Sequence, residues 1–205
     1  MADELVFYSN PMSRGRIVRW MLEEVGAPYR TQMLDFTAMK SPDYLPINPM
    51  GKVPAIQHNG RVVTECAAIC AYLADAFPQS KLAPALADRA DYYRWLFFAA
   101  GPLEYAVTNH ALGFEPPVER QSMMGYGNYK TTIDTLDQAL SGKSYIAGDS
   151  FTAADVYIGS HLAWGMQFGT IEKRPAFEAY WKKLEQRPAH LRATELDDAL
   201  MPKQQ

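Results

Sequence analysis

The sequence predicts an α/β domain followed by an all-helical domain. Three observations carry this reading. Over the first eighty residues, short apolar runs and helical periods alternate with turn signals. The stretch Pro78-Gln79-Ser80-Lys81-Leu82-Ala83-Pro84 then interrupts all periodicity. Beyond it only helical periods recur. A chain of 205 residues with 48% apolar composition can bury two small cores. The expected domains are residues 1–79 and 86–205.

In the first domain, residues 5–8 (LVFY) read as a buried strand, broken by Ser9-Asn10-Pro11. Ile17, Val18, Met21, Leu22 and Val25 then follow a helical period over 13–25. Gly26-Ala27-Pro28 ends that helix, glycine as a cap and proline as a stop. Residues 29–34 read as a second strand, 41–45 as one helical turn and 46–49 as a loop. Asn59-Gly60 between 55–58 and 61–64 signals a two-residue hairpin. Residues 65–77 are helical, with Ala68, Ile69, Tyr72 and Leu73 expected inward. A right-handed crossover makes the first two strands parallel, and the hairpin adds an antiparallel pair.

In the second domain, helices are expected over 88–112, bent if Pro102 lies inside, over 119–140 and over 152–166. Arg174-Pro175 opens a fourth helix that ends near Arg187-Pro188, and 190–200 adds a short last one. Thr152 and Asp155 have the spacing of a capping box, with Phe151 and Val156 flanking as a staple. The aromatics Tyr92, Tyr93, Trp95, Phe97 and Phe98 read as a helical core.

Net charge is −3, which favours neither nucleic acid nor an anionic membrane. Met1-Ala2-Asp3-Glu4 is acidic and lacks the basic and apolar regions of a signal peptide. No apolar run reaches membrane-spanning length. The two cysteines, Cys66 and Cys70, lie four apart on one helix, which suits a reducing cytoplasm rather than a disulfide framework. No Cys/His spacing suits zinc, so no metal is assigned.

The most informative stretch is Met50-Gly51-Lys52-Val53-Pro54-Ala55-Ile56. Val53 precedes proline and is pushed into the extended region, where its N–H and C=O face a partner. Pro54 lacks an N–H, suits a turn and permits a cis bond. Glu65-Cys66 then opens a helix, placing a carboxylate at its start. Together these features describe an edge for a small peptide held by main-chain hydrogen bonds.

Ser13 before the first helix, Val53-Pro54 before the hairpin, Glu65 with a small residue opening the next helix, and Thr152-Ala153-Ala154-Asp155 occur in one order along the chain. In this combination the sequence resembles the soluble glutathione transferases, in their bacterial, serine-type form. The resemblance implies a thioredoxin-like first domain, a helical second domain and a homodimer. It also implies glutathione as co-substrate and a hydrophobic electrophile as the second substrate. It places Val53, Pro54, Glu65, Cys66, Lys52 and Lys40 at the tripeptide. The family usually has serine where this chain has Cys66, so a hydroxyl donor is exchanged for a weak S–H.

The reaction needs the glutathione thiol as thiolate. A hydroxyl donor and a helix N-terminus both favour that anion. Ser13, Tyr8 and Ser9 compete for the hydroxyl role, Ser13 foremost because it stands at the helix start. Its competing role is a plain N-cap. Met12, Tyr105, His110 and Trp164 are candidates for the electrophile pocket. Arg14, Arg16 and Arg19 form a basic cluster, read as a solvated face or as ion pairs between domains. The same fold also serves non-catalytic binding modules, and glutathione-dependent isomerases and dehalogenases share every one of these residues.

Overall fold

The computed structural model describes residues 4–201; Met1, Ala2 and Asp3 of the acidic start lie outside the described residues. The chain forms two compact units. One runs up to Leu82 and takes in the segment from Arg187 onward; the other spans 83–186.

The first unit is built on a four-stranded mixed sheet. Strand β1 (Leu5–Ser9) pairs in parallel with β2 (Arg30–Met33) and antiparallel with β3 (Ala55–His58), which pairs antiparallel with β4 (Arg61–Thr64). The strand order is β2-β1-β3-β4. Central β1 is an apolar run with Leu5, Val6 and Phe7 buried, as a strand covered on both faces requires. At the hairpin, Asn59 and Gly60 both take positive φ, 50° and 79°, the pair of values a type I′ turn demands. Helix α1 (Gly15–Val25) buries Ile17, Val18, Met21 and Leu22. It ends at Gly26, whose φ of 71° lets its N–H return to the Leu22 carbonyl. Helix α2 (Cys66–Ala76) buries Cys66, Ile69, Cys70, Leu73 and Ala74. Its inner face is therefore rotated from the expected one, and Ala68 is exposed.

The last helix, α8 (Pro188–Asp198), packs on α1 and completes this unit. Sequence places it after the boundary at 78–84, whereas its contacts group it with the first unit. Ion pairs explain its position. Arg19 on α1 meets Asp197 at 2.6 Å, both side chains buried. Arg187 forks onto Glu24 with Nε at 2.6 Å and Nη2 at 2.8 Å. Arg16 meets Asp198 at 2.8 Å and Arg192 meets Glu23 at 2.8 Å. Arg16 and Arg19 of the basic cluster on α1 are thus committed to ion pairs within one unit.

The second unit is all-helical. Helix α3 (Ala90–Phe98) runs through a π turn (Ala99–Leu103) into α4 (Glu104–Ala111). The wider turn contains Pro102, which lacks the N–H that a regular turn would use. Of the aromatic run, Tyr92 and Trp95 are buried, while Tyr93 and Phe97 are exposed. The helix expected over 119–140 is interrupted. A 3₁₀ turn (Val118–Met123) is followed by Gly127 at φ 67°, and α5 (Tyr129–Leu140) starts afresh, the Asn128 side chain accepting the Thr131 N–H. Helix α6 (Ala153–Phe168) is buried nearly all round, as an axial helix must be. Helix α7 (Pro175–Leu184) follows Arg174.

The capping box at Thr152 forms and extends further than its spacing implies. Asp155, fully buried, accepts from the N–H of Thr152 at 2.8 Å, the Thr152 hydroxyl at 2.9 Å, the N–H of Ile146 at 2.8 Å and the hydroxyl of Tyr180 at 2.6 Å. Burial raises the pKa of this carboxyl while those four donors oppose the rise.

Candidate functional site

The sheet register gathers the motif residues. Tyr8 stands opposite Ala55, and Ala55 opposite Thr64. The exit of β1, the start of β3 and the exit of β4 therefore share one edge. The exit of β2 joins them, because Met33 stands beside Ser9 in the parallel pair. Just past this row lie Ser13 after β1, Lys40 after β2, Lys52, Val53 and Pro54 before β3, and Glu65 with Cys66 after β4. Sequence-distant segments reach one rim because β1, β2 and β4 run one way and β3 the other, a fact that no single segment encodes.

The Val53-Pro54 bond is cis. Val53 is half-buried and Pro54 buried. Among the described residues, neither the N–H nor the C=O of Val53 has a hydrogen-bond partner. A residue two before a strand start with both main-chain groups open is a template for another strand.

Glu65 immediately precedes α2, is exposed, and takes φ 66° and ψ 120°. That conformation is sparsely populated for a side-chain-bearing residue and is the kind of local strain concentrated at ligand sites. Its carbonyl starts the helix by accepting the Ile69 N–H. The thiol of Cys66 lies 3.7 Å from the Arg14 carbonyl, so the starts of α1 and α2 are neighbours. Burial pushes the Cys70 thiol well up, which makes it an inert core group.

Ser13 is half-exposed at the head of α1. Its hydroxyl accepts the Gly15 N–H at 3.0 Å and donates to the Asn10 carbonyl at 2.7 Å. It is thus a helix cap whose one proton is engaged. Ser9 is fully buried, and a Cβ on Gly15 would come within 2.1 Å of its Oγ. It is sealed under the start of α1. The Tyr8 hydroxyl turns back along β3 to Gln57 at 3.4 Å, its ring packed on Tyr44. Lys40 is exposed and its Nζ donates to the Met50 carbonyl at 3.0 Å. Lys52 is exposed on the same loop.

Of the pocket candidates, Met12 is exposed on the first unit, in the loop before α1. On the second unit, Tyr105 is exposed on α4 and Trp164 is half-buried on α6. His110 pairs through Nδ1 with Glu115 and stacks on Tyr129 with ring centroids 3.9 Å apart.

Sequence reasoning missed three side chains that build this rim. Asn10, buried, donates to the Leu34 carbonyl and accepts the Met12 N–H, tying the exits of β1 and β2 together. Tyr44 and Asn48 both donate to the Lys52 carbonyl. For both asparagines the available signal was an Asx turn, a side chain returning to a backbone N–H two residues on. For Tyr44 there was none. No group of three or more His, Cys, Asp or Glu among the described residues is placed to hold a metal. No helix there is long and apolar enough to cross a membrane.

A mixed four-stranded sheet of order β2-β1-β3-β4 with a cis-proline at its rim, followed by an all-helical unit, defines a thioredoxin-like domain joined to a helical one. Comparison with known proteins completes the assignment. Residues 12–76 match the N-terminal domain of glutathione S-transferase, and residues 128–188 match its C-terminal domain. A sphingomonad glutathione S-transferase, solved in complex with glutathione, is 31% identical with a TM-score of 0.77, over 94% of this chain and 98% of that one. A glutathione transferase from Methylococcus capsulatus is 27% identical with a TM-score of 0.78, over 95% and 99%. Glutathione S-transferase GST-4.5 of Xanthomonas campestris is 28% identical over 82% of this chain and 84% of its own length. The chain belongs to the glutathione S-transferase family, and its activity is that of a glutathione transferase.

Proposed function

We propose that this protein binds glutathione along the Val53 edge and raises the reactivity of its sulfur at the start of α1, with Ser13 as the hydroxyl donor. The observation that carries the reading is the rim itself. An unpaired main-chain edge, a carboxylate in strained backbone and a helix N-terminus with a half-exposed hydroxyl all stand past one row of the sheet. Val53 pairs with the cysteinyl main chain of glutathione beside Pro54. Glu65 takes the α-amino group, and the Cys66 N–H at the start of α2 takes the γ-glutamyl carboxylate. Lys52 and Lys40 take the glycyl carboxylate. No metal is required, because the thiolate is favoured by a hydroxyl and a helix end.

Tyr8 and Ser9 are less suited than Ser13. The first turns to Gln57 and the second is sealed in the core. The Ser13 proton must leave the Asn10 carbonyl to reach a thiolate. That exchange replaces a neutral hydrogen bond, worth about 1 kcal/mol, with one to a charged acceptor, worth roughly 1.5–3 kcal/mol. The second substrate is a hydrophobic electrophile. The protein acts as a cytoplasmic homodimer; light scattering of the purified chain checks the dimer.

The test is Ser13→Ala. Turnover with an excess of a reactive aryl halide should fall at least tenfold, about 1.4 kcal/mol of barrier, while the glutathione dissociation constant stays within about twofold. Unchanged turnover would remove Ser13 from the mechanism.

A further inference from the structure

The loop that presents Val53 is held from behind. The Lys52 carbonyl accepts two hydrogen bonds, from the Tyr44 hydroxyl at 2.7 Å and from Asn48 Nδ2 at 2.8 Å. Both donors are buried, Tyr44 at 3% and Asn48 at 4% relative exposure. Two donors fill both lone pairs of that oxygen. Asn48 also works through its other atom, Oδ1 accepting the Met50 N–H at 3.1 Å. Its backbone carbonyl accepts the Gly51 N–H at 2.8 Å. Gly51 takes φ 58°, and a Cβ there would meet the Met39 carbonyl at 2.7 Å. The turn therefore closes tightly on Tyr44, Asn48 and the Lys40 ammonium.

Geometry carries the consequence. The Lys52–Val53 peptide is planar and trans, so its C=O and N–H point in opposite directions. A carbonyl pinned inward by two buried donors turns the Val53 N–H outward, toward the rim. The Tyr44 ring cannot shift easily. It sits with Met39 and Ala55 in a small core against which Tyr8, Leu34, Ile47 and Val53 pack.

We infer that Tyr44 and Asn48 are positioning residues for the substrate: by clamping the Lys52 carbonyl they hold the Val53 N–H at the angle that a bound γ-glutamyl tripeptide's main chain accepts. This rests on the reading of Val53 as the main-chain partner of glutathione. Burial pushes the Tyr44 phenol up to about 12, so it remains a donor across the working pH range. Without the clamp, the loop backbone must be ordered during binding, and affinity falls by roughly the cost of fixing one residue, about tenfold.

Two near-isosteric variants separate the clamp from packing. Tyr44→Phe keeps the ring and removes the donor. Asn48→Asp keeps the acceptor for Met50 and removes the donor to Lys52. The experiment combines ¹⁵N NMR of the Val53 amide, calorimetry with glutathione, and steady-state kinetics. In the wild type, glutathione should shift the Val53 amide resonance strongly. In each variant the ligand-free Val53 amide should move and exchange faster. The glutathione dissociation constant and KM should rise about tenfold, with kcat at saturating glutathione within twofold of wild type. A merely structural role would lower the melting temperature and leave the dissociation constant alone; that result in a folded variant overturns the clamp. A wild-type Val53 amide indifferent to bound glutathione overturns the underlying reading, and the clamp's function with it. If one variant does not fold, the other decides between the same two outcomes.

Discussion

The buried pair between Arg19 on α1 and Asp197 on α8 makes a prediction whose two halves differ in pH dependence. The side chains are 3% and 1% exposed and 2.6 Å apart. Arg19 also donates to the Tyr29 hydroxyl at 3.1 Å and to Thr31 Oγ1 at 3.2 Å, with its guanidinium 5.1 Å from the Phe7 ring centre. Asp197→Ala leaves a guanidinium that cannot shed its proton, with only neutral partners. The expected cost is about 3–5 kcal/mol, the usual penalty for orphaning a buried charge, and it should change far less between pH 5 and pH 7 than the penalty of the reverse truncation. Arg19→Met leaves a carboxyl that can escape by protonation. Burial already raises the Asp197 pKa even with Arg19 beside it. For an acid whose folded pKa is raised, stability is fully present below the unfolded value and is lost as pH rises through the folded one. From an ordinary carboxyl pKa near 4, protonation costs about 4 kcal/mol at pH 7 and about 1.4 kcal/mol at pH 5. The Arg19→Met penalty should therefore shrink by up to about 2.7 kcal/mol on going from pH 7 to pH 5. Hydrogen exchange of the α8 amides, read by mass spectrometry at both pH values, measures each penalty where it acts. An Arg19→Met penalty as large at pH 5 as at pH 7 would refute the reasoning. The double variant Arg19→Met/Asp197→Leu should recover most of the loss at both, because an apolar pair needs no desolvated charge.

Asp155→Ala should cost at least about 3 kcal/mol in the helical unit, because the Ile146 and Thr152 N–H groups and the Tyr180 hydroxyl lose a shared buried acceptor at roughly 1–3 kcal/mol each; urea unfolding followed by far-ultraviolet circular dichroism reads it. Tyr29 gives an alkaline prediction. Burial, and then its hydrogen bond to Glu23, push its phenol from the usual 10 up to about 12. Its contribution is present below pH 10 and is lost as pH rises from 10 toward 12. Tyr29→Phe should flatten that part of the melting-temperature profile.

Legibility followed the range of the interaction. Asn59-Gly60, Gly26 and the Thr152–Asp155 box were readable because each acts over two to four residues, and each forms as its spacing implies. The break before α5 was readable in principle, since Gly125, Gly127 and Asn128 stand where a helix was expected to continue. Helical periodicity masked it. The place of α8 was not readable. The partners that hold it, Glu24 with Arg187 and Arg19 with Asp197, are 163 and 178 residues apart. At the site, Ser13, Val53, Pro54 and Glu65 stood out by residue type. Tyr44 did not, because its role is to reach one carbonyl eight residues on.

Chain chemistry alone thus decides the local conformations: which residues cap, which turn, which lie extended before a proline, and which strands are apolar enough to be covered. These choices rest on φ/ψ preference and on hydrogen bonds that close within a few residues. Packing decides the rest. It determines that four strand ends share one rim, that a terminal helix is ion-paired to the first, and that the Lys52 carbonyl is clamped so that the Val53 N–H faces outward. Those outcomes depend on strand direction and on contacts across most of the chain's length, and such contacts acquire an energy only once the chain has folded.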